Sequence, residues 1–213
     1  MPGYELINKK EKFAVNELFK EGGVLFAHGF EKLRKKFHVR EFEKNFAKYL
    51  RTKKCLAVSS GTAAIKIGLK ALGVKPGDEV ITQAFNFIAT VEAILDLGAN
   101  PIIVNVNKTL NMDPIELKKS ITKKTKVVIP VHMLGFSSEM QEIKNICKRR
   151  KIKILEDNCE SLGAKYKGKF LGTLGDIGVL SFDHGKIITT GEGGLVISKN
   201  LKLDKYSREY HDH

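Results

Sequence analysis

The chain has 213 residues, 42% hydrophobic and 29% charged, with a formal net charge of +13. That length and balance allow one large domain with a real core. No run of about 18 apolar residues occurs, so a membrane-spanning helix is not expected. The opening "MPGYELINKKEKFAVNELFK" lacks the long apolar centre of a signal peptide. Cys55, Cys147 and Cys159 have no metal-ligand spacing. They argue against a disulfide framework or a zinc site and fit a reducing cytoplasm. The positive charge suits a nucleic acid, an anionic lipid, a phosphorylated substrate or simply a well-solvated surface. The lysines are dispersed, as in "KLRKKF", "TKKTK" and "KRRKIK", without interleaved aromatics. No nucleic-acid recognition motif accompanies them.

In chain order, residues 1–35 read as an N-terminal arm with a helix near "KFAVNELFKE" and a break at Gly22–Gly23. Residues 36–213 read as the main domain. "VREFEKNFAKYL" spaces Val39, Phe42, Phe46 and Leu50 at helical intervals. Short apolar runs follow: "CLAVSS", "EVITQA", "PIIVNV", "KVVIPVH", "KIKILED", "GVLSF" and "GLVIS". Helical stretches lie between several of them, over 62–72, 86–97, 114–121 and 138–150. Alternating strands and helices predict an α/β fold, a mainly parallel seven-stranded sheet with flanking helices. The link between "GVLSF" and "GLVIS" is too short for a helical crossover, so one strand there is expected to run antiparallel.

Ligands in such sheets sit beyond the carboxyl ends of the strands. The residues there are Ser59–Thr62, Phe85–Phe87, His132, Glu156–Asp157 and Ser181–Lys186. Gly61 and Thr62 open a helix, where backbone amides favour a phosphate or serve an ordinary N-cap. Asp157 ends a buried run and needs a partner: a lysine, a metal shared with Glu156 and Glu160, a protonated ring nitrogen, or a cap on the next segment. His132 is either a packed structural histidine or a substrate contact. Lys186 is either a surface lysine in a hairpin loop or a partly desolvated amine whose pKa falls toward nucleophilic use.

One ligand would engage these groups together. Its phosphate would sit on Gly61, Thr62 and Ser181, its ring against Phe87, a ring nitrogen on Asp157 and an aldehyde at Lys186. That ligand is pyridoxal 5′-phosphate (PLP), whose chemistry requires a Schiff-base lysine, an acidic partner for the pyridinium and a phosphate cup.

The segments "FEKNFAKYL", "AVSSGTAAIKIGLKALGVKPGDEVIT", "FIATVEAILDLGANPIIVNV", "NMDP", "VVIPVHMLG", "ILEDNCESLGAKYKGKFLGTLGDIGVLSFDHGKIITTGEGGLVIS" and "REYHDH" occur in collinear order over roughly residues 25 to 213. In them the chain resembles the DegT-type sugar aminotransferases, PLP enzymes of the aspartate aminotransferase fold type I. The resemblance implies that Lys186 is the Schiff-base residue, that Asp157 pairs with the pyridine nitrogen and that Phe87 stacks on the ring. It assigns the phosphate to Gly61, Thr62 and Ser181. Family members often have Gln near the cofactor's phenolic oxygen, where this chain has Glu160. That carboxyl is expected to be protonated, turned away or bridged by another group. Related dehydratases carry His at the lysine position, so Lys186 favours amino transfer.

The resemblance further implies a cytoplasmic homodimer that moves an amino group, from glutamate, to a keto sugar, often nucleotide-linked, in amino-sugar or surface-polysaccharide biosynthesis. It implies residues 36–213 as the PLP-binding large domain and a family C-terminal small domain that this chain lacks. The competing expectation is a truncated or regulatory remnant that binds PLP without competence of its own. Nucleic-acid binding ranks last.

Overall fold

The computed structural model describes residues 3–21, 29–34 and 36–212. The predicted break at Gly22–Gly23 lies outside the described residues. The expected arm helix is α1 (Lys9–Lys20), opened by a capping box in which Asn8 and Glu11 satisfy each other's amide ends. Helix α2 (His38–Leu50) ends where Arg51 turns left-handed at φ 55°. Its Phe42 and Phe46 rings pack on Phe182 with centroids 5.4 and 5.2 Å away.

The elements then alternate: β1 (Lys54–Val58), α3 (Gly61–Ala71), β2 (Glu79–Gln83), α4 (Ala89–Leu95), β3 (Asn100–Val104), α5 (Pro114–Ser120), β4 (Thr125–Ile129), α6 (Met140–Arg150) and β5 (Lys153–Asp157). A small hairpin, β6 (Lys165–Tyr166) and β7 (Lys169–Phe170), precedes β8 (Ile177–Ser181), β9 (Gly194–Ser198) and α7 (Leu201–Asp212). Every expected strand is present. The seven-stranded sheet has the order β1-β9-β8-β5-β4-β2-β3. Strands β8, β5, β4, β2 and β3 pair in parallel, and β9 runs antiparallel to both β8 and β1.

Both faces of the sheet are covered, so neighbouring residues on one strand enter different cores. Val80, Val127, Val179 and Leu155 pack in the cluster with α3 and α4. Ile81, Val128 and Ile154 pack in the cluster with α5 and α6. Leu180, Leu195 and Ile197 pack with α2. Burying each such side chain contributes about 1.5–3 kcal/mol before entropy is counted.

Two helices start later than the sequence pattern predicts. The stretch 86–88 stays outside α4 because Asn86 is tied by its side chain, donating to Thr82 Oγ1 at 3.2 Å with its Oδ1 3.2 Å from Thr90 Oγ1. Ser138 stays outside α6 because its amide donates to His132 Nδ1 and its hydroxyl to the Val131 carbonyl. The hairpin and α7 were not predicted. The hairpin had a signal, the turn "KYKGKF", whose Lys167 and Gly168 take φ of 48° and 78°. Helix α7 has a weak apolar stripe and is held by polar contacts. Arg208 donates to Glu43 at 3.0 Å, to Asp204 at 3.2 Å and to the Cys55 carbonyl at 2.8 Å.

Candidate active site

A cavity of about 470 Å³ opens beyond the carboxyl ends of the parallel strands. Gly61, Thr62, Phe87, Asp157, Glu160, Ser181 and Lys186 all line it, so the structure brings together the seven residues that the resemblance places around the cofactor. They come from the β1–α3 turn, the β2–α4 loop, the segment after β5 and the segment after β8.

Asp157 is buried at the tip of β5. Its Oδ2 accepts from the Thr90 hydroxyl at 3.0 Å, and its Oδ1 accepts from the Cys159 amide at 3.1 Å. Thr90 and Cys159 line the cavity too and were missed from sequence. The signal for Thr90 was a hydroxyl one helical turn beyond Asn86, on the face that meets β5.

Glu156 does not join this set. Strand alternation sends it to the opposite side, where its carboxylate accepts from the Gly172 amide at 3.0 Å, from Leu174 at 2.5 Å and from Gly175. His132 lies with it, fully buried, and contacts Glu156 Oε2 through Nε2 at 3.0 Å. Its Nδ1 accepts from the Ser138 amide, so Nε2 carries the proton and donates. Of the two readings of His132, the structure has the packed structural histidine, and Glu156, at a strand end, faces away from the cavity. They brace the loops behind it, and Glu156 cannot share a metal with Asp157 and Glu160.

Lys186 Nζ donates to Glu160 Oε1, with both side chains largely covered. Desolvation pulls the ammonium toward a lower pKa. The hydrogen bond and charge of Glu160, backed by Cys159 and Asp157, outweigh that pull and hold the pKa above the ordinary 10.5. The expected fall in the lysine's pKa is thus reversed by its partner. Glu160 is thus paired with Lys186. Phe87 stands at the rim, 71% exposed.

The far end of the cavity suits an anion. At the start of α3, the Ala63 amide donates to Ser60 Oγ at 3.1 Å and the Ala64 amide to the Ser60 carbonyl at 3.0 Å. That leaves the Gly61 and Thr62 amides for a ligand. A Cβ on Gly61 would lie 2.9 Å from Ser181 Cβ and 3.3 Å from Cys159 Sγ, so the space over the helix end exists only because residue 61 has no side chain.

An amine, a buried carboxylate and an amide-lined anion seat in one cavity, on a sheet of this order, define a class: the α/β cofactor enzymes of fold type I. Residues 27–213 match the DegT/DnrJ/EryC1/StrS aminotransferase family, and the chain belongs to it. Among its relatives is GDP-perosamine synthase of Escherichia coli O157:H7, 41% identical over 175 residues, which cover 82% of this chain and 48% of that protein. Another is 3-oxo-glucose-6-phosphate:glutamate aminotransferase of Bacillus subtilis (strain 168), 40% identical over 178 residues, covering 83% of this chain and 40% of that protein. The crystal structure of NtdA from Bacillus subtilis with bound cofactor PMP superposes with a TM-score of 0.84 at 37% identity, covering 97% of this chain and 46% of that one. The chain spans about half the length of the curated relatives it matches. The family's cofactor is PLP, and the cavity described above fits it: amine, carboxylate and anion seat all face one space. Among the described residues, no helix is long and apolar enough to cross a membrane.

Proposed function

We propose that this chain is the cofactor-binding part of a sugar aminotransferase, with 36–213 as its large domain and 1–35 as an arm. It would move an amino group from glutamate to a keto sugar carried on a phosphate or nucleotide. It would work in the cytoplasm as a homodimer, in amino-sugar or polysaccharide biosynthesis. The observation that carries this reading is the convergence of Lys186, Asp157 and the Gly61–Thr62–Ser181 end on one cavity. The relatives' names support the acceptor and donor classes, one naming a GDP-linked sugar product and the other a sugar phosphate with glutamate.

When bound, PLP supplies an electron sink for negative charge at the carbon that bears the amino group. Lys186 would hold the cofactor through Nζ and, once released, move a proton between Nζ and the substrate carbon as general base and acid. Asp157 would keep a proton on the ring nitrogen, and Thr90 and the Cys159 amide orient its carboxylate for that task. Gly61, Thr62 and Ser181 would bind the phosphate. Phe87 would cover the ring and exclude water from one face. Glu160 holds the proton on Lys186 Nζ until the lysine is engaged.

Borohydride treatment of the PLP-loaded chain, followed by peptide mapping, tests the assignment. The label is expected on Lys186, and a label on another lysine with Lys186 unmodified overturns it. The acceptor class is tested separately. The longer protein containing this chain should give glutamate-dependent amino sugars from a panel of keto sugars, and amination of simple 2-oxo acids alone would overturn the sugar reading.

A further inference from the structure

The N-terminal arm touches the segment that bears Lys186. A single turn, Gly3–Leu6, precedes α1. Gly3 is the one buried residue among the described residues up to Glu21. Its amide donates to the carbonyl oxygen of Lys186 at 2.5 Å. A Cβ on Gly3 would lie 2.8 Å from Lys186 O and from the C and Cα atoms of Ile188. The next residue, Tyr4, sets its ring 6.5 Å from that of His184. One turn thus meets positions 184, 186 and 188.

The segment is tied at its ends, where the Thr189 hydroxyl and the Thr190 amide both donate to the Phe182 carbonyl, at 2.8 and 3.1 Å. The Lys186 amide donates to the Asp183 carbonyl at 3.0 Å and the Gly185 amide to Asp183 Oδ1 at 3.0 Å, while Ile187 and Ile188 stay exposed. The other end of the turn is fixed by the α1 capping box and by Asn8, which donates to the Leu6 carbonyl at 2.9 Å. A turn stiffened by its own cap and hydrogen-bonded to the middle of this segment restrains the backbone between those end ties.

We propose that Gly3–Leu6 is a strap that positions the Lys186 segment, and that Gly3 is its seating residue. Only glycine lets the strap backbone come this close, and only a residue with an amide hydrogen can hold the Lys186 carbonyl. By fixing the backbone at Lys186, the strap fixes the reach of Nζ toward Glu160. The charged and titratable groups facing that Nζ are Glu160, Asp157 and Cys159 from the segment after β5, with Asp183, His184 and Glu192 around the same cavity. The consequence for PLP capture rests on the reading of Lys186 given above; the strap contact does not.

The test uses the 213-residue chain with Gly3→Ala, which keeps the amide but adds the clashing Cβ, and Gly3→Pro, which removes the donor. Phe13→Ser, on the exposed face of α1, is the control. Hydrogen exchange over residues 183–190, measured without PLP, is expected to quicken severalfold in both Gly3 variants and not in the control. The thermal midpoint should hold, because the strap pairs with no strand of the sheet. With PLP added, the borohydride-fixed Lys186 adduct should form more slowly at its high-pH plateau. Its pH midpoint should move lower, because a slacker Lys186–Glu160 pair holds its proton less tightly. Unchanged exchange in both variants overturns the strap. Faster exchange with unaltered capture at Lys186 overturns its positioning role. Faster exchange with the label on a different lysine leaves the strap standing and defeats the Lys186 reading instead.

Discussion

Asp157 accepts two hydrogen bonds, and an asparagine in its place has one oxygen to offer. The Thr90 hydroxyl can rotate and accept from the new amide, so Asp157→Asn should cost at most about 1 kcal/mol of stability. The chemical loss should be far larger, because the negative charge that keeps a ring nitrogen protonated is gone. The expected result is a near-normal melting curve, weaker PLP binding and a half-reaction slowed by orders of magnitude in the longer protein. An unchanged half-reaction rate would remove Asp157 from that role. Glu160→Gln probes the other charge. The folded-state pKa of Lys186 is raised above 10.5, so the pair's contribution to folding is fully present at neutral pH. It is lost as pH rises through the raised value. The stability gap between wild type and Glu160→Gln should therefore be open at neutral pH and close at strongly alkaline pH. PLP capture by the variant should also begin at lower pH. A stability gap that does not change with pH would show that the pair does not hold the proton.

At the scale of the element, the start of α3 is built against the end of β8. Replacing glycine by alanine inside a helix ordinarily favours it by about 1 kcal/mol. Here the added carbon meets the Ser181 Cβ and the Cys159 sulfur, short side chains that have little freedom to move away. Gly61→Ala should lower the thermal midpoint and weaken PLP binding severalfold, read by calorimetry and by titration of the visible absorption band. A stabilised variant with intact PLP affinity would show that the space over the helix end is not used. Much of this element was legible beforehand. "SSGTAAIKIGLKALG" shows a strand end, a cap and a helix, and the helix begins at Gly61 with Ser60 as its cap. The hairpin β6–β7 was legible in principle from its Lys–Gly turn. Helix α7 was not, because Arg208 holds it through Glu43, a residue 165 positions away.

Across the whole molecule, large apolar side chains stay exposed in the segments that follow the strand ends. They include Phe87 and Ile88 after β2, Leu134 and Phe136 after β4, and Ile187 and Ile188 beside Lys186. Exposed apolar surface near a ligand cavity is characteristic of association surfaces. With the proposed homodimer, sedimentation velocity should find the chain self-associated at micromolar concentration. The double variant Leu134→Ser with Phe136→Ser should shift it toward monomer. A wild-type chain that sediments as a monomer throughout would sink the dimer reading. Raising the salt should weaken binding of a diphosphate-bearing sugar, since the net charge of +13 attracts it through a screened field.

The sequence by itself determined the strand order in the chain, the mainly parallel sheet with an antiparallel partner for "GVLSF", and the set of residues at the strand ends. These follow from local periodicity and from the rule that ligands gather at carboxyl ends. The resemblance already put Asp157 rather than Glu156 on the cofactor, but only the tertiary structure shows Asp157 lining the cavity and Glu156 turned away from it. Alternation separates them, but the choice of side depends on how the helices layer on each face. It also decided that His132 braces Glu156, that Thr90 orients Asp157 and that Glu160 raises rather than spares the proton affinity of Lys186. Each of these pairs joins side chains at least 24 residues apart. Their meeting is fixed by sheet register and loop packing, which leave no periodic trace in the chain.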